Sequence, residues 1–257
     1  MVITYDFLAK YGQLGNQMFQ YALLLGVKYK IEADIVIHPE VKKRSYLFDF
    51  FDIKECEIKE TYTLNLYQEK HFHFDQGVFN IDTSTNFRGY FQTEKYFEHC
   101  PSAVKKEYTF KKEISNKVDN FLKPYENKVK VSLHVRRGDY LLYPDAHPLC
   151  TIEYYNKAIK MLDGEDVVFV CTSDDIVWCK DNFKIPNIIY NKQDLAHDMC
   201  LISKCDHHII ANSTFSWWGS WLSTNENKKI IAPITWFGSR YSDWNVNDLY
   251  CSNFLKI

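Results

Sequence analysis

Apolar and polar positions alternate strictly along Val129-Lys-Val-Ser-Leu-His-Val135, which predicts a strand over 128–135. From there the chain keeps a regular rhythm of strand and helix. Residues 151–162 repeat apolar positions at helical spacing behind Thr151, a candidate N-cap. Residues 166–173 form a near-continuous apolar run that reads as a strand buried on both faces. The pattern then predicts a helix over 174–183, a strand over 187–191 and a helix over 194–205. A strand over 207–213, a helix over 214–224 and a last strand over 228–233 follow. Alternating helices and apolar strands predict a parallel sheet covered on both faces, with ligands at the carboxyl ends of its strands.

The first half is less regular. Residues 1–8 read as a strand, 10–16 as a glycine-containing turn, 16–30 as a helix and 33–39 as a strand stopped by Pro39. The aromatic, histidine-rich stretch 45–100 has no usable period and stays unassigned. Residues 101–128 read as one lysine-rich, solvated helix ending near Pro124. That ending suggests two domains, 1–126 and 127–257.

Three predicted strand ends carry unusual polar groups: His134-Val-Arg136-Arg137-Gly-Asp139, then Thr172-Ser-Asp174-Asp175, then Asn212-Ser213-Thr214-Phe-Ser216. In a parallel sheet all three converge on one rim. Only five arginines occur in the chain, and two of them stand side by side here. A guanidinium fork suits phosphate, and the helix opening at Ser213 adds N–H groups and hydroxyls. An aspartate at the second site can accept from a purine edge or ribose hydroxyls. Together they describe a pocket for a nucleoside diphosphate. Each group also has a bland role: Asn212 or Ser213 as a helix cap, Asp174 and Asp175 as complements of a helix dipole, paired arginines as surface ion pairs.

Other chemistries fit poorly. A net charge of −2 without a basic cluster excludes nucleic acid as a partner. Eight scattered cysteines, with no Cys-x-x-Cys, predict free thiols in a reducing cytoplasm. No signal peptide or membrane span is evident, although peripheral attachment at the inner membrane is compatible with the sequence. Cys200, Cys205, His207 and His208 match no zinc spacing. Gly12 and Gly15 lie in an ordinary strand-to-helix turn, without the glycine spacing of a dinucleotide site or a P-loop lysine. No Asp-x-Asp stands ready to hold a metal against a diphosphate, so no metal and no cofactor are expected. Arg137-Gly-Asp139 and the sequon at Asn212 read as chance matches.

Five ordered segments resemble the bacterial α-1,2-fucosyltransferases of glycosyltransferase family 11: GQLGNQMFQYA (12–22), GYFQTEKYF (89–97), HVRRGDY (134–140), SDDIVWCKDNF (173–183) and ANSTFSWWGSWL (211–222). The third is also similar to the segment shared by α-1,6- and protein O-fucosyltransferases. The resemblance implies an α/β fold of the GT-B type, with two Rossmann-like domains facing a cleft. It implies metal-independent, inverting transfer from GDP-β-L-fucose to the 2-hydroxyl of a galactoside in a surface glycan. By the same resemblance, Arg136 and Arg137 hold the diphosphate, while His134 and Asp174 or Asp175 face the guanosine. Ser213, Thr214 and Ser216 lie around the phosphates, and Asn16 and Gln17 close the cleft from the acceptor side. Asp139 is the first candidate for the general base, its alternative being to hold an arginine in place. Tyr11 and Thr172 depart from the common family pattern, away from this chemistry. A fucosyltransferase of another linkage, or a non-catalytic nucleotide-sugar or glycan-binding protein, would account for the same pocket. The oligomeric state is left open.

Overall fold

The computed structural model describes residues 1–60, 64–191 and 193–257. The chain divides into two compact units, each a parallel α/β domain: 1–111 with 244–251, and 112–243 with 252–257.

In the first unit, β1 (Val2–Thr4) leads through the glycine turn into α1 (Leu14–Ile31). Gly12 has φ +81, and a Cβ there would overlap the Asn16 side chain, so only glycine makes this turn without strain. α1 is buried nearly all round, with Met18, Phe19, Tyr21, Ala22, Leu23 and Leu25 inaccessible to solvent. β2 (Asp34–Ile37), α2 (Pro39–Arg44), α3 (Tyr46–Phe50), β3 (Cys56–Ile58), β4 (Asn65–Gln68), β5 (Thr85–Arg88) and α4 (Pro101–Glu107) complete the unit. Its sheet runs β3-β2-β1-β5-β4, with every pairing parallel. The unpatterned middle therefore resolves into short elements that show no period. Pro39 does more than stop β2, since it opens α2 at a position where its missing N–H costs nothing.

The second unit opens with α5 (Lys112–Leu122) and continues through β6 (Val129–Val135), α6 (Ile152–Leu162), β7 (Val167–Ser173), α7 (Ile176–Asn182), β8 (Ile188–Tyr190), α8 (Leu195–Ser203), β9 (His207–Ile209), α9 (Thr214–Leu222), β10 (Ile230–Ala232) and β11 (Phe254–Lys256). Its sheet runs β11-β10-β9-β6-β7-β8, again all parallel. Val131, Leu133, Phe169, Cys171, Ile209 and Ile231 fill its core with Tyr155 and Ile159 of α6. Thr151 caps α6, its Oγ1 accepting from the Tyr154 N–H at 3.2 Å.

Two expectations need correction. The lysine-rich segment is not one helix: it breaks between α4 and α5, where the rings of Tyr108 and Phe110 pack on Phe51 at centroid distances of 5.1 and 4.8 Å. Packing of two aromatic rings outweighs the continuous helical propensity of the lysines. β10 is also not the last strand, because β11 adds at the sheet edge beside it.

The strand orders fix where ligands can gather. In the first unit the chain builds β1, β2 and β3 outward on one side, then returns to place β5 against the other side of β1. In the second it builds β6, β7 and β8 outward, then returns to place β9 against β6. Adjacent loops part at such reversals and leave a crevice at the carboxyl ends of the strands.

Candidate functional site

The reversal between β6 and β9 carries the residues singled out from the sequence. Arg136 and Arg137 follow β6, Asp174 and Asp175 follow β7, and Ser213 caps α9 after β9. Tyr140 ties the first loop to the last: its hydroxyl donates to the Asn212 carbonyl at 3.0 Å.

The two arginines are not a bare cationic patch, because three carboxylates surround them. Arg136 meets Asp139 through Nη2 at 2.6 Å and Asp174 through Nη1 at 3.0 Å, with its guanidinium carbon 5.4 Å from the Tyr140 ring centroid. Arg137 donates its backbone N–H to Asp174 Oδ1 at 2.9 Å and its Nε to Asp175 Oδ2 at 3.0 Å. Its guanidinium lies 4.2 Å from the Trp178 ring centroid. Arg136 thus has both terminal nitrogens committed to carboxylates. Arg137 is anchored by Nε and its flat face, and neither of its terminal nitrogens bonds to another described residue. Of the pair, Arg137 keeps a fork for a ligand.

Asp174 and Asp175, expected to face a guanosine, have their carboxylate oxygens engaged within the second unit. Both oxygens of Asp174 hold arginine groups, and Asp175 spends Oδ2 on Arg137 and Oδ1 on the Trp178 N–H, capping α7. Gly138 sits so close that a Cβ would stand 2.6 Å from Asp174 Oδ2. Asp139 is half exposed and bonded to Arg136.

His134 is 5% exposed at the end of β6, with its ring 5.5 Å from that of Phe215. Burial, with the charge of Arg136 adding, pushes its pKa down to about 3, so the imidazole is neutral at physiological pH. Its Nδ1 and the neighbouring Thr172 Oγ1, one strand over, are buried without a hydrogen-bond partner among the described residues. Unsatisfied buried polar atoms are costly, so these two mark hydrogen-bonding capacity that the surrounding strands leave unmet.

The β9 turn divides its polar residues. Ser213 caps α9, its Oγ accepting from the Phe215 N–H at 3.3 Å, and the first turn of α9 carries no acidic residue to offset the helix dipole. Thr214 opens the helix, partly exposed. Asn212 is instead a strut: its amide donates to the carbonyls of Pro148 and Trp236, both at 2.9 Å, and is 1% exposed. Ser216 is fully buried and turns its hydroxyl back onto the Ser213 and Ala211 carbonyls. Both side chains thus donate to backbone carbonyls of the second unit.

In the first unit, Gln17 is 2% exposed and its Oε1 accepts from Ser45 Oγ at 3.0 Å and the Tyr46 N–H at 3.1 Å, so it supports the start of α3. Asn16, partly exposed, accepts from Gln92 Nε2 at 3.0 Å. The residues that sequence reasoning passes over are Trp178 and Tyr140, the platforms beneath the two guanidinium groups. The available signal for Trp178 is an aromatic three residues into a helix capped by an arginine-binding aspartate.

Three of the four groups discounted as a zinc set serve separate ends. Cys205 donates to the Leu201 carbonyl, His208 bonds Ser132 Oγ at 2.9 Å, and His207 accepts from the Lys229 N–H. Among the described residues no three His, Cys, Asp or Glu side chains are grouped to hold a metal ion, and no helix is long and apolar enough to cross a membrane.

The profile described as Glycosyl transferase family 11 matches residues 4–257. The chain belongs to this family. It is a glycosyltransferase. An alpha-1,2-colitosyltransferase of Escherichia coli is 30% identical over 269 residues, covering 88% of this chain and 90% of that protein. A galactoside 2-alpha-L-fucosyltransferase, SEC1 of Bos taurus, is 25% identical and covers 90% and 67% respectively. Among solved structures, the fucosyltransferase NodZ from Bradyrhizobium superposes with a TM-score of 0.56 at 13% identity, covering 85% of this chain and 90% of its own. That likeness supports the GT-B-type fold expected from the sequence.

Proposed function

We propose that the chain is a galactoside α-1,2-L-fucosyltransferase, moving fucose from GDP-β-L-fucose to the 2-hydroxyl of a terminal galactose with inversion. The observation that carries this reading is the Arg137 fork standing at the same strand-order reversal as the uncompensated N-terminus of α9. The colitosyl- and fucosyltransferase relatives support the linkage and the class of donor sugar.

The reaction is a single displacement at the anomeric carbon, through an oxocarbenium-like transition state. The acceptor oxygen forms the new bond as the bond to the diphosphate breaks, and the acceptor proton passes to a base. Negative charge grows on the departing GDP. Arg137 and the α9 N–H groups are aimed at that charge, so they stabilise the transition state more than the ground state. Asp174 and Asp175 hold the guanidinium plane in place beforehand, and Trp178 supports its face. His134, with unmet hydrogen-bonding capacity, contributes to the nucleoside side of the pocket. Cationic and N–H groups meet the diphosphate charge without a divalent ion, so turnover should survive treatment with a chelator.

Transfer assays with GDP-fucose and a panel of galactosides, followed by linkage analysis, test this reading directly. Formation of the α-1,2 product supports it, and transfer in another linkage or none rejects it. The colitosyltransferase relative favours GDP-colitose as the second donor to include.

A further inference from the structure

The reversal between β1 and β5 in the first unit carries a second built cluster. Arg88 ends β5, while Phe7, Lys10 and Tyr11 lie on the loop that follows β1. Thr4 pairs with Asn86 in the parallel register, which brings the two strand ends side by side. The Arg88 guanidinium carbon stands 4.6 Å from the Phe7 ring centroid and 5.6 Å from that of Tyr11, and Nη2 donates to the Tyr11 hydroxyl at 2.9 Å. Phe7 and Tyr11 are themselves stacked at 5.7 Å. Lys10 Nζ approaches the Phe7 ring at 5.2 Å.

The electrostatics here differ from those around Arg136 and Arg137. Neither Arg88 nor Lys10 forms an ion pair with any carboxylate among the described residues. Asp6, in the same loop, is held by Asn86 Nδ2 at 2.9 Å. Arg88 is partly buried, so its charge is poorly compensated while two aromatic rings fix its orientation. Such a guanidinium, with Nε and Nη1 making no bond within the described residues, is prepared for a planar or tetrahedral oxyanion. The donor diphosphate already has a partner set in the second unit, which leaves the acceptor as the molecule that brings this anion.

We propose that Arg88 and Lys10 form an anion subsite for the acceptor, which selects glycans carrying a carboxylate or phosphate substituent. The inference rests on the transferase reading given above, but binding tests it without turnover. Full-length protein would be titrated calorimetrically with three ligands: a galactose–glucuronate disaccharide, its galactose–glucose counterpart, and a galactoside phosphate monoester. At least one acidic ligand should bind about tenfold tighter than the neutral one, and the stronger of the two names the substituent.

Arg88→Gln should abolish that preference and Lys10→Gln should reduce it severalfold, with GDP affinity unchanged in both. Lys10 is exposed, so its variant guards against loss of fold. Equal binding of acidic and neutral ligands overturns the proposal, as does a full preference retained in Lys10→Gln or Arg88→Gln. A parallel fall in GDP affinity also overturns it, since the cations would then serve the donor. A preserved acid preference in a protein that transfers no fucose would sink the fucosyltransferase reading and leave this subsite standing.

Discussion

Arg137 rests its guanidinium 4.2 Å from the Trp178 ring while its Nε grips Asp175 at 3.0 Å. One side chain is thus held by its face and by one edge, and the opposite edge is left for a ligand. Lysine would keep the charge but could not use a flat face and two edges together. Arg137→Lys should therefore lower kcat by roughly a hundredfold or more, the cost typical of losing a donor aimed at developing charge. Trp178→Ala should cost far less, about 0.5–1 kcal/mol or a few-fold, because it removes only the platform. Initial rates with GDP-fucose decide both, and near-normal turnover in Arg137→Lys would reject the phosphate role.

Asp139 is bonded to Arg136 at 2.6 Å, which favours a bracing role over proton abstraction. Asp139→Asn should then lower kcat by less than about tenfold, within the range of a lost surface ion pair. The limbs of its pH–rate profile should stay in place. Disappearance of a limb, with a loss of roughly a hundredfold or more, would make Asp139 the general base.

His134 links pH to stability. Its folded pKa is about 3, below the ordinary value of about 6.5. As pH falls through 6.5 the unfolded chain takes up the proton first, so stability is full above that value and declines towards pH 3. The contribution is at most ~1.4 kcal/mol for each pH unit. Urea midpoints at about pH 7.5, 6 and 5, which span the onset of that decline, should fall less steeply for His134→Gln than for the parent. Parallel slopes would show that the imidazole is not buried in neutral form. Fully buried His208, pushed down by its own burial, adds to the parent slope in the same direction and remains in both proteins.

Gly26 lies in α1 where a Cβ would overlap the Tyr96 carbonyl oxygen. Gly26→Ala normally favours a helix, yet here it forces the 3-10 turn at Glu94–Tyr96 away from α1. A loss of about 1–3 kcal/mol in chemical denaturation is expected, the usual cost of overpacking. Stabilisation would mean that the turn yields freely.

The second half of the chain was legible because its strands alternate or run apolar over seven residues in β6 and β7. β3 and β11 are short and mostly exposed, so they lack the apolar run that marks the equally short β10. The helix break at Tyr108 was hidden for another reason: its hydroxyl donates to the Met18 carbonyl at 2.5 Å, a partner far away in sequence. At the site, convergence of the three strand ends followed from parallel topology alone. The roles within it did not, because whether an aspartate faces ligand or arginine is decided by neighbours from other strands. Gln17, Asn212 and Ser216 show the same limit. The family resemblance marked Gln17 and the strand-end pattern marked Asn212 and Ser216, but neither reveals the burial and internal bonds that each of them makes.

The passage of residues 244–251 through the first unit, before the chain finishes in the second, makes the tail a shared component. Trp244 stacks on Phe72 at 5.0 Å and Asp248 accepts from Lys95 and the Phe74 N–H, while β11 hydrogen-bonds to β10. A nonsense codon near position 243 would damage both halves at once, and neither half can be cloned as one uninterrupted stretch of gene.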